Sequence, residues 1–216
     1  MVARLGGRTA RDFARCVAGG GVALFPADTV YGLACDPANA DAVRRLYELK
    51  GRPQAQPAAV MFFALAPALA VLPELGPRTR GALQALLPGP LTVLLANPRD
   101  RWPLACRPGS SPGTAGSGAL GLRVPLPAGA LRALGALELA VLQSSANLSG
   151  GPEARRLADV DPELRAGVDL ALDGGELPGV ASTVLDLREY ERGGTWKVVR
   201  AGPLGDVDIA HALDSA

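Results

Sequence analysis

The chain has 216 residues, of which 48% are hydrophobic and 20% are charged, and its formal net charge is +1. This length and composition fit a globular domain and exclude an intrinsically disordered protein. The near-neutral charge argues against tight, nonspecific binding to nucleic acid, although it leaves room for a local basic pocket.

Residues that bind metals or form disulfides are few and scattered. Cys16, Cys35 and Cys106 have no Cys-x-x-Cys spacing, which predicts reduced thiols and neither a disulfide framework nor a zinc site. The single histidine, His211, disfavours both a histidine-cluster metal site and histidine general-base catalysis, so we predict no protein-held metal. With no signal-peptide pattern and no membrane-length apolar stretch, we expect a soluble, cytoplasmic protein without a membrane partner.

Apolar runs bounded by turn residues predict strands that alternate with helices. In the first half we predict a helix at 9–17, a strand at 22–25, a loop at 26–32, a helix at 40–49, a strand at 58–65, a helix at 77–87 and a strand at 91–95. In the second half we predict strands at 121–124, 139–143, 168–172, 183–187 and 197–200, with helices near 128–135, 153–159 and 206–213. The alternation indicates one α/β domain with a largely buried, mixed sheet.

The Pro-, Gly- and Ser-rich segment 97–118 predicts a lid, a binding loop or disorder. Two motifs in or next to this segment lack the flanking strand or helix that their functions require. Gly116–Gly121 has the spacing of a dinucleotide-binding loop, but a loop precedes it and a predicted strand follows it. Gly109–Gly113 has the spacing of a nucleophile elbow, but its flanking prolines fit neither the strand nor the helix that an elbow needs. We assign no function to either motif.

Four polar clusters follow apolar runs, where the active-site loops of α/β sheets collect. They are Asp28–Gly32, Lys50–Pro53, Ser144–Gly150 and Ala181–Thr183. Cations, hydroxyls and an amide, without a histidine or thiol base, suit the charge stabilisation that adenylation or phosphoryl transfer requires. Taken singly, each cluster is better explained as a turn, a helix cap or a surface ion pair than as part of an active site.

Lys50 is one of only two lysines among 22 basic residues. A lysine ammonium is a compact point charge suited to phosphate oxygens, whereas arginine is a planar fork. Two explanations of this lysine stay open at this point: a functional need for an ammonium, and codon usage that favours arginine and leaves a few lysines by chance.

The order of these clusters along the chain resembles the YrdC-like family of threonylcarbamoyl-AMP synthases. The motifs that carry the resemblance are Pro26-Ala27-Asp28-Thr29-Val30-Tyr31-Gly32-Leu33, Lys50-Gly51-Arg52-Pro53, Pro88-Gly89-Pro90, Ser145-Ala146-Asn147-Leu148-Ser149-Gly150, Ser182-Thr183 and Arg200-Ala201-Gly202. The resemblance implies one domain over residues 1–216 with a core at 8–205, and no additional C-terminal domain of the kind found in longer relatives. It also implies an α/β fold in which a twisted, mostly mixed sheet is flanked by helices around a central cavity.

The resemblance further implies a reaction in which L-threonine, bicarbonate and ATP, with Mg²⁺, give threonylcarbamoyl-adenylate and pyrophosphate. A downstream tRNA threonylcarbamoyl transferase then modifies the adenosine beside the anticodon, so a contact with tRNA is also expected. The residues expected to act catalytically and to hold the ATP phosphates are Lys50 and Arg52. Those expected to help bind the nucleotide are Ser145, Asn147 and Arg200. Those expected to bind the threonine are Thr29, Tyr31, Arg123 and Ser182.

Three departures from the family pattern fall on the threonine side of this site. Ala27 stands where the pattern has a threonine, Gln56-Pro57-Ala58 lacks a basic residue and a leucine, and Gly118-Ala119-Leu120 lacks a further threonine. Two alternatives therefore remain. One is a divergent family member that binds RNA or a nucleotide without this catalysis, and the other is carbamoyl transfer, as in maturation proteins that contain this domain.

Overall fold

The structure, a computed structural model, describes residues 2–4, 9–51, 53, 57–106, 118–126 and 129–215. Its strands are β1 (Val2–Arg4), β2 (Ala23–Pro26), β3 (Tyr31–Cys35), β4 (Ala59–Met61), β5 (Leu91–Ala96), β6 (Ala119–Arg123), β7 (Val141–Ser145), β8 (Leu170–Asp173), β9 (Thr183–Asp186) and β10 (Lys197–Arg200). Within the described residues they form one mixed sheet in the order β1-β8-β2-β3-β7-β4-β6-β5-β9-β10. The predicted mixed α/β fold is confirmed.

Helices connect most of these strands. They are α1 (Thr9–Ala18), α2 (Ala40–Leu49), α3 (Leu65–Ala70), α4 (Pro77–Leu86), α5 (Pro162–Gly167), α6 (Tyr190–Gly193) and α7 (Asp206–Asp214), with short 3-10 helices at Gly129–Leu134 and Leu157–Asp159. Asn39 caps α2, because its side-chain oxygen accepts a hydrogen bond from the Ala42 amide at 3.0 Å. In the part of the chain that the structure describes, no helix combines the length and apolar character needed to cross a membrane.

The predicted helices at 9–17, 40–49 and 77–87 are confirmed within one or two residues. The loop predicted at 26–32 was too long at both ends, because Pro26 ends β2 and Tyr31 begins β3, which pairs with β2 as an antiparallel hairpin. The strand predicted at 58–65 was too long, since β4 ends at Met61 and Leu65 begins α3. Both errors have one cause: short runs of small and apolar residues carry too little periodicity to separate strand from loop or helix.

Successive residues of the inner strands pack on opposite faces of the sheet, as the two-residue period of a strand requires. Leu24 and Leu33 belong to a large apolar cluster that also contains residues of α2, α4 and α7. Phe25 and Ala34 belong to a second cluster, which includes Phe13 of α1 at 5.2 Å from Phe25 between ring centroids. Helices therefore cover both faces of the sheet.

The second face carries small residues on part of the sheet. Helix α1 packs against this face at β2 and β8. Further along the same face, the register sets Ala59 of β4 beside Gly121 of β6, and Gly121 beside Leu94 of β5. Because an alanine and a glycine fill little space, this part of the face is a depression. The candidate site lies there.

Gly202 allows the chain after β10 to approach the start of β9. A β-carbon at this position would overlap the Thr183 amide nitrogen and lie 2.6 Å from the Ala181 carbonyl oxygen, and both are backbone atoms. We expect Gly202→Ala to lower the free energy of unfolding by about 1–3 kcal/mol, which is typical of overpacking. Denaturant unfolding measures the change. The control is Gly193→Ala, where the nearest atom is the Thr195 hydroxyl at 3.6 Å; equal losses in the two variants would contradict this close approach.

Candidate active site

A cavity of about 270 Å³ lies over the depression in the sheet. Its charged and polar lining includes Arg123, Gln143, Ser145, Glu153, Ser182 and Arg200. Four of the predicted site residues, Arg123, Ser145, Ser182 and Arg200, thus meet at one cavity although they are far apart in the sequence. They meet because their strands are close together in the sheet, where the order is β7-β4-β6-β5-β9-β10. Ser145 ends β7, Arg123 ends β6, Ser182 precedes β9 and Arg200 ends β10.

Arg123 is 5% exposed and makes a buried ion pair at the cavity wall. Its Nη2 donates to Asp28 Oδ1 at 2.9 Å, and its Nη1 donates to Gln143 Oε1 at 2.8 Å. Burial is the largest influence on both ions: it lowers the pKa of Arg123 and raises the pKa of Asp28, while each ion opposes the shift of the other. Because an arginine keeps its proton in proteins, the pair supplies fixed charge and no proton transfer.

Asp28 and Thr29 form the turn between β2 and β3. Asp28 has a φ of 68°, in the left-handed region that aspartate tolerates better than most residues, and the Thr29 amide donates to its Oδ1 at 2.5 Å. The Gly179 amide donates to the Thr29 carbonyl at 2.8 Å, which ties the turn to the segment before β9. Thr29 is 4% exposed and does not line the cavity, whereas the next residue, Val30, does, so the predicted contact of Thr29 with threonine stays a prediction.

Three residues of the cavity lining and the adjoining Asp28–Thr29 turn carry buried polar atoms that have no hydrogen-bond partner among the described residues. They are Asp28 Oδ2, Thr29 Oγ1, Arg123 Nε, Gln143 Nε2 and Glu153 Oε2. Each such atom costs roughly 1–3 kcal/mol, and native proteins contain few of them. Their concentration around one cavity is typical of a site in which a polar ligand supplies the missing partners.

Lys50 is 2% exposed and does not line the cavity. Its ammonium donates to the carbonyl oxygens of Ser145 and Asn147, the latter at 2.8 Å, and to Asn147 Oδ1 at 3.2 Å. The Ser149 amide in turn donates to the Lys50 carbonyl at 3.0 Å. The hydrogen bonds of Lys50 therefore connect the end of α2 to the loop after β7. Its phosphate contact stays a prediction, and Arg52, its predicted partner, lies outside the described residues.

The Ser-x-Asn motif folds into a loop closed by its own side chains. Ser145 Oγ donates to Asn147 Oδ1 at 2.5 Å, and Asn147 Nδ2 donates to the Gly151 carbonyl at 2.6 Å. Ser145 lines the cavity, whereas Asn147 lies outside its lining. Asn147 therefore holds the shape of the loop that presents Ser145.

Ser182 and Arg200 form the opposite side of the cavity. Arg200 Nη2 donates to the Ser182 carbonyl at 2.8 Å, and its side chain is otherwise exposed. Ser182 Oγ is 3.0 Å from Thr92 Oγ1, so the two hydroxyls share a hydrogen bond. This side of the cavity offers hydroxyl groups and one solvent-facing cation.

Tyr31 is fully buried and also lies outside the cavity lining. Its hydroxyl donates to the Gly175 carbonyl at 2.9 Å and accepts a hydrogen bond from the Gly174 amide at 2.9 Å. In this structure it anchors the segment after β8, and its predicted contact with threonine stays a prediction.

Four further polar residues of the lining, Thr92, Gln143, Ser144 and Glu153, are missing from the predicted site residues. The sequence could have indicated two of them, because Thr92 is a polar residue inside an otherwise apolar strand and Gln143 is the one polar residue of the strand predicted at 139–143. Nothing in the sequence indicated Glu153, because it lies outside every motif.

The rejection of the glycine-rich loop agrees with the structure, in which β6 begins at Ala119 where that motif needs a helix. Gly109–Gly113 lies outside the described residues.

Comparison with known proteins identifies the family. The family model Sua5_yciO_yrdC, described as "Telomere recombination", matches residues 15–202. The threonylcarbamoyl-AMP synthase of Xanthomonas campestris pv. campestris is 36% identical over 176 residues, which cover 76% of this chain and 84% of that protein.

Two comparisons with Pyrococcus abyssi proteins cover a smaller share of the relative. Its threonylcarbamoyl-AMP synthase is 30% identical over 172 residues, which are 79% of this chain and 48% of that protein, so this chain spans about half of its length. The crystal structure of P. abyssi Sua5 complexed with L-threonine has a TM-score of 0.80 and 26% identity, covering 98% of this chain and 60% of that one. As the order of its motifs predicts, the chain belongs to the Sua5/YciO/YrdC family.

Proposed function

We propose that this chain synthesises threonylcarbamoyl-adenylate from L-threonine, bicarbonate and ATP, with release of pyrophosphate. Relatives named for this activity support the enzyme class, and the chain covers 84% and 80% of the length of two of them. The observation that carries the proposal is the set of unpartnered buried atoms around the Arg123 cavity. The same fold in P. abyssi Sua5 has been determined with L-threonine bound.

The cavity suits the amino-acid substrate. Arg123 Nε and Gln143 Nε2 are donors without a partner among the described residues, and a substrate carboxylate accepts from both. The hydroxyls of Ser182 and Thr92 suit the substrate's own hydroxyl. Ala27 does not interrupt this arrangement, because it contributes its backbone carbonyl, which accepts from Arg123 Nη2 at 3.4 Å.

The proposed chemistry has two bond-forming steps. The threonine amine first combines with bicarbonate to give a carbamate and water. A carbamate oxygen then attacks the α-phosphorus of ATP, the bond from that phosphorus to the β-phosphate oxygen breaks, and pyrophosphate leaves with the developing negative charge. Fixed cations stabilise that charge without a protein nucleophile, and we assign this role to Lys50 and Arg52.

Mg²⁺ enters this proposal as part of the substrate, MgATP. No group of three or more His, Cys, Asp or Glu side chains occurs among the described residues, so a carboxylate cage for the ion is not found there. Mg²⁺ takes its ligands readily from phosphate oxygens and water, which the nucleotide brings with it. In this proposal the ion is held by the nucleotide and by water.

The product defines the proposed partner. An acyl-adenylate is an activated group that a second enzyme must transfer, and the expected acceptor enzyme is the tRNA threonylcarbamoyl transferase. A direct contact between this chain and tRNA, and its cytoplasmic location, stay predictions.

Incubating the protein with MgATP, bicarbonate and L-threonine tests the activity. We expect pyrophosphate release that needs all three substrates, together with threonylcarbamoyl-adenylate detected by mass spectrometry. We expect Arg123→Met to raise the KM for threonine at least about tenfold, because it removes a charged hydrogen-bond donor, and to leave the KM for ATP nearly unchanged. Reactions without threonine are the control; pyrophosphate release that is independent of threonine would refute the proposal.

Replacing Lys50 tests its two roles separately. Lys50→Met leaves the carbonyl oxygens of Ser145 and Asn147 without their donor, so we expect the free energy of unfolding to fall by about 1–3 kcal/mol. We also expect kcat/KM for ATP to fall at least about tenfold, because a phosphate-binding cation is lost. Lys197→Met is the matched control, since Lys197 is exposed on β10. Unchanged stability and turnover in Lys50→Met would contradict both roles.

A further inference from the structure

Glu153 is a carboxylate of the cavity that belongs to none of the sequence motifs. It lies between the Ser-x-Asn loop and the 3-10 helix Leu157–Asp159, and it lines the cavity. Its Oε2 is buried and has no hydrogen-bond partner among the residues that the structure describes. A buried carboxylate oxygen without a hydrogen-bond donor is unfavourable, so Oε2 favours a ligand that supplies a donor or a cation.

The charges around the cavity indicate which kind of ligand fits. Among the described residues these charges are Arg123, Arg200, Asp28 and Glu153, two positive and two negative. Asp28 pairs with Arg123 at 2.9 Å, whereas Glu153 makes no ion pair in the described part of the chain, although its charge partly offsets the lowering of the Arg123 pKa by burial. Balanced charge suits a ligand that carries separate positive and negative groups, while a polyphosphate requires an excess of positive charge.

We propose that Glu153 is a specificity-determining residue that accepts a hydrogen bond from the amino group of the amino-acid substrate. This inference rests on the proposed function. A zwitterionic α-amino acid supplies both kinds of missing partner: its carboxylate accepts from Arg123 Nε and Gln143 Nε2, and its ammonium donates to Glu153 Oε2. After the amine becomes a carbamate, its nitrogen keeps one N–H, so the hydrogen bond persists with a neutral donor.

The amino group fits Glu153 better than the substrate hydroxyl does. The cavity already offers the hydroxyls of Ser182 and Thr92 as partners for a hydroxyl, and these can donate or accept. A hydrogen bond between two charged groups is roughly twice as strong as a neutral one. A buried carboxylate oxygen without a donor therefore gains more from a cationic donor than from a neutral one, and the ammonium is the only cationic group of the amino acid.

Calorimetric titration with two ligands isolates this contact. One ligand is L-threonine, and the other is the 2,3-dihydroxybutanoate of the same configuration, in which a hydroxyl replaces the amino group. We expect Glu153→Gln to weaken L-threonine binding at least about tenfold, because a charge-assisted hydrogen bond is lost, and to change binding of the analogue by less than about twofold. Glu153→Asp keeps the carboxylate, so we expect it to retain most of the preference for threonine.

The control variant is Glu189→Gln, which replaces an exposed carboxylate remote from the cavity lining and leaves both affinities unchanged. Thermal unfolding of each variant identifies loss of fold, and ATP titration reports on the nucleotide. Wild-type threonine affinity in Glu153→Gln overturns this inference and leaves the proposed function intact. A loss confined to ATP affinity also overturns it, because Glu153 then contacts the nucleotide. If the wild-type protein neither binds threonine nor releases pyrophosphate in its presence, the proposed function itself fails.

Discussion

The buried ion pair between Arg123 and Asp28 is the interaction on which the geometry of the cavity depends. It joins β6 to the turn between β2 and β3, and through Gln143 it also holds β7. Between β2 and β6 the sheet contains three other strands, so the pair spans the part of the sheet that forms the cavity floor. Loss of one partner leaves an uncompensated buried charge, which costs about 3–5 kcal/mol, and the turn that carries Thr29 loses its anchor.

The cavity exists because the side chains on one face of the sheet are large on β2 and small on β4 and β6. On β2 this face presents Phe25, which packs against Phe13 of α1. On β4 and β6 the same face presents Ala59 and Gly121, which leave space above them. Alternate residues of a strand share a face, and the pairing register of β4 and β6 places their small residues next to each other. Polar residues at the ends of neighbouring strands surround the space that these small residues leave.

Much of this arrangement follows from the sequence, and the rest depends on contacts that a linear pattern does not contain. The helix at 40–49 was predictable from its cap and periodicity, and the motif order identified the family. The pairing of Arg123 with Asp28 was not predictable, because it requires knowing that β6 faces the β2–β3 turn. Glu153 was missed for the same reason: it lies outside the motifs, and only the folded chain brings it to the cavity.

Lys50 lies outside the cavity lining, so under the proposed function the ATP phosphates and the amino acid occupy separate regions. Among the described residues the cavity around Arg123 has balanced charge, which does not compensate a triphosphate, and Lys50, a predicted phosphate-binding cation, does not line it. Ser145 belongs to both regions, because it lines the cavity and its carbonyl accepts a hydrogen bond from the Lys50 ammonium. A phosphate that draws the ammonium away must therefore alter the loop that presents Ser145. Under the proposed function, this couples nucleotide binding to the amino-acid site through a single residue.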